Sequence, residues 1–181
     1  TALDVENWYV CGSSLGSGLT IRYALTYPNR VCGHIFTNSM SAFADPSLAN
    51  PERSAQRSDQ IRAGGMEAIE QIPVHPRYAK RIEKQIHEAL LKDAALLDPK
   101  GIANTVRFTT PLATVRNVLH ENQSPALLTC GHFEKRFSEH REFAEANMPH
   151  LKVSKIDAGH AVNMQGAPQF NRAVIDFLSN L

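Results

Sequence analysis

A chain of 181 residues is long enough for one compact domain, since domains most often run to ~100–150 residues. Its 43% hydrophobic and 20% charged residues are ordinary for a globular protein, and a formal net charge of +1 gives no basis for a nucleic-acid or acidic-polymer partner. No apolar run approaches the ~20 residues of a membrane span, and the opening residues carry neither the basic start nor the apolar core of a secretory signal.

The three cysteines, Cys11, Cys32 and Cys130, are scattered and odd in number, without C-x-x-C spacing, which argues against a structural zinc site. Each sits in or beside an apolar run, so all three are expected to be buried and reduced in a cytoplasmic protein. No metal and no cofactor is expected.

Along the chain, Asn7 to Cys11 reads as a short strand stopped by Gly12, and Leu15 to about Tyr27 as a helix stopped by Pro28-Asn29. Val31 to Thr37 is a second, mostly apolar strand. Strand, helix and strand in this order predict a crossover and a parallel sheet, and hence an α/β fold. From about Ser41 to His120 the alternation is lost, and prolines, charge and helical periodicity replace it. Tyr78, Ile82, Ile86 and Leu90 recur every fourth position, which predicts one apolar stripe on one helix. This stretch reads as a helical insertion whose Arg53, Arg57 and Arg62 either face an anionic substrate or form a solvated face. After Ser124-Pro125 the alternation resumes: a strand over Ala126 to Cys130, a helix over Phe137 to Met148 and a strand over Lys152 to Ile156. The loop Asp157-Ala158-Gly159-His160 follows. A last helix after Pro168 carries Phe170, Val174, Phe177 and Leu181 on one face.

Gly12-Ser13-Ser14-Leu15-Gly16 matches G-x-S-x-G. In that motif a strand turns sharply into a helix, the central serine sits at a strained corner, and residues with tiny side chains flank it. The flanking strand and helix supply the context that the motif requires. Ser14 is then the nucleophile, and the Leu15 N–H, at the helix start, points at a developing oxyanion. Ser13 has the wrong spacing to the glycines, and Ser17, with Gly16 and Gly18, suits close helix–sheet packing.

A serine hydroxyl needs a base to take its proton. Among 8 histidines, His75, His87, His120, His140 and His150 read as surface groups, and His34, inside a strand, as a satisfied core residue. His160 lies in a loop directly after a strand and behind Ala158-Gly159, small residues that allow a tight turn. It is the preferred base, with His132, in another strand-end loop, as the alternative. The carboxylate that holds the base in one tautomer belongs at a strand end between serine and histidine. Glu134 meets this requirement, Asp45 competes with it, and Asp157 is too near His160 in sequence to reach round the ring.

Together these features resemble the α/β-hydrolase superfamily, from the elbow to the end of the chain. The order Ser14, Glu134, His160 is the superfamily's order. Ser124 to Glu134 resembles its acid-bearing strand and turn, and Asp157 to Asn163, with Pro168 and Phe170, its histidine loop and last helix. The resemblance implies a hydrolase core over residues 1–40 and 121–181 and a helical lid over 41–120. Glu134 departs from the usual aspartate. The superfamily also places several strands, and a loop bearing a second oxyanion donor, before the elbow, so the resemblance implies one piece of a longer polypeptide. Carboxylesterases, meta-cleavage-product hydrolases and menaquinone-pathway synthases share this scaffold and differ in chemistry; Gly131 to Phe137 resembles the last. The implied function is hydrolysis of a small ester or related carbonyl substrate through an acyl-enzyme. The alternatives are carbon–carbon bond hydrolysis or elimination on a carboxylate-bearing substrate, or a non-catalytic binding protein. The expected partner is a small molecule, with homodimerisation open.

Overall fold

The computed structural model describes residues 4–181. The chain divides into two units, one formed by residues up to Pro46 together with Ala113–Leu181, the other by Ser47–Leu112.

In the first unit β1 (Trp8–Gly12), β2 (Val31–Thr37), β3 (Ala126–Gly131) and β4 (Leu151–Ile156) form a parallel sheet in the order β1-β2-β3-β4. A parallel neighbour cannot be reached by a hairpin. Helix α1 (Leu15–Thr26) therefore links β1 to β2, and α6 (Ser138–Asn147) links β3 to β4. Between β2 and β3 the chain passes through the short helix α2 (Met40–Phe43) and the second unit. After β4 come the short α7 (Val162–Gln165) and the terminal α8 (Ala167–Ser179).

The central strands are apolar almost throughout because both of their faces are covered. Phe36 and Leu128 pack on one side with Ile21 of α1, Phe43, Leu119, Phe137 and Ala144; Ile35 and Leu127 pack on the other with Phe177, Val174 and Leu178 of α8. Neighbouring strand residues point to opposite faces, so adjacent positions in β2 and β3 feed different cores. Each large side chain buried this way stabilises the fold by about 1.5–3 kcal/mol relative to exposure. Ala42, Phe43, Val115 and Leu119 belong to this core, which is why the sheet-bearing unit reaches further along the chain at both junctions than residues 40 and 121. Leu181 falls beyond the end of α8 and is half exposed.

The second unit contains α3 (Pro51–Glu70), α4 (Lys84–Ala94) and α5 (Pro99–Asn104). Asn50 caps α3 by accepting the Arg53 N–H at 2.8 Å, ahead of Pro51 in the first turn. Gly65, at φ 58° and ψ −137°, kinks α3, and Ile61, Ile69 and Ala103 close a small core. The single stripe expected over Tyr78 to Leu90 is corrected. Tyr78 ends a separate 3₁₀ turn (Pro76–Tyr78), Arg81 has φ 61°, and helix α4 begins only at Lys84. That break leaves only Ile86 and Leu90 of the four on α4.

Two other expectations fail. Cys130 is buried, but Cys11 and Cys32 are exposed free thiols. Cys11 lies on the outermost strand, and Cys32 is passed over in the register between Trp8↔Val31 and Tyr9↔Gly33, so it bulges out of the ladder. His75 is buried rather than superficial, because its Nδ1 accepts the Arg77 N–H at 3.2 Å as the 3₁₀ turn folds back. His34 is fully buried, with Nε2 at 3.0 Å from Asn122 Oδ1, but its Nδ1 has no partner.

Candidate active site

The turn from β1 into α1 is strained at Ser14, which has φ 53° and ψ −117°. A non-glycine residue there costs about 1–3 kcal/mol and persists only when its surroundings dictate it. They do so here. The Ser14 N–H donates to Thr37 Oγ1 at 3.0 Å, and Ser13 Oγ lies 3.1 Å from the same oxygen. Ser17, fully buried, has its Oγ 3.1 Å from the Gly12 carbonyl and 3.0 Å from the Thr37 carbonyl, and accepts the Thr37 N–H at 3.2 Å. The ends of β1 and β2 are thus clamped to the first turn of α1.

Crowding explains one motif glycine and not the other. A Cβ on Gly12 would stand 2.2 Å from the Gly16 carbonyl oxygen and 2.2 Å from Thr20 Oγ1, whereas one on Gly16 would meet nothing within 4 Å. The expectation of tight space on both sides of the serine therefore holds for Gly12 only. Gly18 packs against the Ala113 carbonyl and Ala42 rather than the sheet; Ser17 makes the sheet contact.

Three loops at the carboxyl end of the sheet bring the expected residues together. Ser14 Oγ lies 2.9 Å from His160 Nε2, and His160 Nδ1 lies 2.9 Å from Glu134 Oε1. An ionised carboxylate only accepts, so Nδ1 carries the proton and donates it, which leaves Nε2 to accept the Ser14 hydroxyl. The acid turn and the histidine loop are laced together: His132 N–H donates to the Ile156 carbonyl at 2.8 Å and Phe133 N–H to the Ala158 carbonyl at 3.0 Å. Gly131 makes this approach possible, since a Cβ there would stand 1.9 Å from the Gly159 carbonyl oxygen. Gly159 N–H is held by Gln165 Oε1 at 2.8 Å. Leu15 is the first residue of α1, where a backbone N–H has no partner one turn back.

The rivals fall elsewhere. The Ser13 hydroxyl is engaged with Thr37, and the exposed ring of His132 lies against Phe133. Asp157 faces Gln169, whose Oε1 accepts the Asp157 N–H at 2.9 Å and whose Nε2 approaches Oδ2 at 3.4 Å. Asp45 lies beyond α2 and is not part of the Ser14–His160–Glu134 chain.

Asn38 escaped the sequence reading. It is fully buried directly after β2, accepts the Gly131 N–H on Oδ1 at 3.1 Å, and donates from Nδ2 to Glu134 Oε2. The available signal was the polar run Thr37-Asn38-Ser39 closing an otherwise apolar strand.

Burial pushes the Glu134 carboxyl up, but hydrogen bonds from His160 and Asn38, with the positive charges of His160 and Arg136, outweigh it and hold the group below its usual range. The hydrogen bond to Glu134 raises the pKa of His160. Burial and Arg136 oppose that rise, the Glu134 charge adds to it, and the net effect is upward. Among the described residues no group of three or more His, Cys, Asp or Glu side chains could hold a metal ion. No helix among them is long and apolar enough to cross a membrane.

No protein-family model matches the chain. A Bacillus subtilis (strain 168) protein, provisionally named 2-succinyl-6-hydroxy-2,4-cyclohexadiene-1-carboxylate synthase, is 24% identical over 191 residues, covering 99% of this chain and 68% of its own. The structure of MenH from S. aureus matches with a TM-score of 0.80 at 14% identity, covering 96% of this chain and 68% of that one. The enol-lactonase from Burkholderia xenovorans LB400 gives 0.81 at 20% identity, covering 98% and 67%. A thermophilic esterase from Thermogutta terrifontis gives 0.76 at 20% identity, covering 97% and 65%. The chain thus spans about two thirds of the length of the proteins it matches. At such identities the likeness carries the architecture rather than the reaction, and the architecture of this chain is the α/β-hydrolase fold.

Proposed function

We propose that this protein is a serine hydrolase acting on a small ester or related carbonyl substrate through an acyl-enzyme, with Ser14 as nucleophile, His160 as base and Glu134 as acid. The observation that supports the reading is the unbroken chain from Ser14 Oγ through His160 to Glu134, both links at 2.9 Å.

In the acylation step His160 Nε2 takes the Ser14 proton as Oγ bonds to the carbonyl carbon, and Glu134 stabilises the imidazolium that forms. The tetrahedral oxyanion meets the Leu15 N–H, a donor of the kind whose loss costs ~100–1,000-fold in rate. His160 then returns the proton to the leaving oxygen as the carbon–oxygen bond breaks. Water, deprotonated by the same imidazole, attacks the acyl-enzyme, and the proton goes back to Ser14 Oγ. The Ser47–Leu112 unit takes the role of the lid in this reading, and the substrate is the expected small-molecule partner.

The test is a fluorophosphonate probe with peptide mass spectrometry, alongside p-nitrophenyl acetate hydrolysis. Labelling at Ser14, abolished in Ser14→Ala and strongly slowed in His160→Ala, is the expected result. A folded protein unlabelled at Ser14 would end the proposal.

The name of the Bacillus subtilis relative favours a second reading, in which the same residues eliminate a group from, or break a carbon–carbon bond in, a carboxylate-bearing substrate. Arg53 and Arg57 of α3 then bind the carboxylates. Arg53→Ala and Arg57→Ala variants that lose turnover of a carboxylate-bearing substrate but keep p-nitrophenyl acetate hydrolysis would favour it over simple ester hydrolysis.

A further inference from the structure

We propose that Asn38 is a positioning residue for Glu134, fixing the second carboxylate oxygen so that the first stays on His160. This rests on the reading of Ser14, His160 and Glu134 given above.

Asn38 is 0% exposed, and a buried amide is costly unless both of its ends are used. Both are. The Gly131 N–H requires an acceptor, and Asn38 Oδ1 meets it at 3.1 Å. That bond decides which way the amide faces, and Nδ2 is left pointing at Glu134 Oε2.

The glutamate gives the contact a purpose. Glutamate has one more methylene, and one more free torsion, than the aspartate usual in such sites. A carboxylate on that longer arm can turn away from the imidazole unless its far oxygen is held. Oε1 is on His160 Nδ1 and Oε2 is on Asn38, so the group is gripped at both oxygens. Thr37, the residue before Asn38, holds the Ser14 peptide through Oγ1. The end of one strand thus aligns both ends of the hydrogen-bond chain. The charged groups facing Glu134 here are His160 and Arg136.

The experiment follows fluorophosphonate labelling of Ser14 in wild type, Asn38→Leu, Asn38→Asp, Glu134→Ala and the Asn38→Leu/Glu134→Ala double variant, each checked for folding by circular dichroism. Asn38→Leu is expected to slow labelling ~10- to 100-fold. In the Glu134→Ala background the same change should alter the rate by less than about threefold, because no carboxylate remains to be held. Asn38→Asp nearly preserves shape and supplies the arm that survives if leucine is not tolerated. Its second carboxylate repels Glu134 when both are ionised, and it donates in place of Nδ2 once one takes a proton, so its rate relative to wild type should rise as pH falls. An equal slowing by Asn38→Leu in both backgrounds, wild-type rates in both Asn38 variants, or a pH-independent Asn38→Asp ratio would overturn the proposal. Absence of labelling in the wild type would instead defeat the triad reading, and this inference with it, so the two failures are distinguishable.

Discussion

Replacing Gly131 by alanine puts the contact between acid turn and histidine loop under direct strain. The new Cβ would lie 1.9 Å from the Gly159 carbonyl oxygen and 2.6 Å from that of Ala158. Both are backbone atoms, so no side chain can swing aside to relieve the clash. Gly131 is outside the left-handed region, so alanine itself fits the backbone and only the crowding matters. The 158–159 and 159–160 peptides must both retreat, the second by about 1 Å, and the nitrogen of that second peptide is His160's own. The Nε2···Oγ distance, now 2.9 Å, then opens to the limit of hydrogen bonding or past it. A misplacement of about 1 Å can cost ~100-fold in rate, while overpacking of this kind destabilises by about 1–3 kcal/mol. The assay is the second-order rate of fluorophosphonate labelling at Ser14, with urea unfolding to confirm a folded variant. A folded Gly131→Ala protein labelled within about threefold of the wild-type rate would refute the reasoning.

On the proposed mechanism the pH dependence of labelling follows from His160, which is neutral when it accepts the serine proton. Its pKa is raised above the ordinary 6.5, so labelling should be full at high pH and fall as pH drops through a midpoint above 6.5; a midpoint at or below that value contradicts the Glu134 contact. His34 gives a stability signal of opposite origin. Burial lowers its pKa to about 4, against a partial rise from the Asn122 hydrogen bond. The unfolded chain therefore takes up a proton near 6.5 that the folded chain refuses until about 4. Stability should be intact above pH 6.5 and lose roughly 3 kcal/mol between the two values. Urea unfolding across that range should show the loss in wild type and a flatter profile in His34→Gln. Finally, Gly12→Ala should abolish labelling or folding, whereas Gly16→Ala should label within a few-fold of wild type, since a Cβ meets backbone at 2.2 Å in one and nothing within 4 Å in the other. Equal damage from both substitutions would show that the motif is crowded on both sides.

The strands and the elbow were legible because local chemistry specifies them. Apolar runs closed by glycine read as strands, and β2 was placed to the residue at Val31–Thr37. Ser14, Glu134 and His160 could be nominated because each follows a strand, and parallel strands deliver their carboxyl ends to one edge. The Tyr78–Leu90 stripe misled because periodicity does not register a backbone break such as the positive φ of Arg81. The cysteines misled because burial depends on which strand lies outermost and which residue bulges.

By itself, then, the sequence determined the order of the elements, the alternation that buries both sheet faces, and the candidate nucleophile, acid and base, all of which are properties of short windows. Only the tertiary structure decided which histidine ring meets Ser14 and that Asn38, at the end of the strand beside Glu134's and 96 positions away in the chain, grips its second oxygen. Only it showed that a methyl group cannot fit at Gly12 or Gly131 but meets nothing at Gly16. Those outcomes depend on distances between strand ends that are remote in sequence, and no local pattern encodes them.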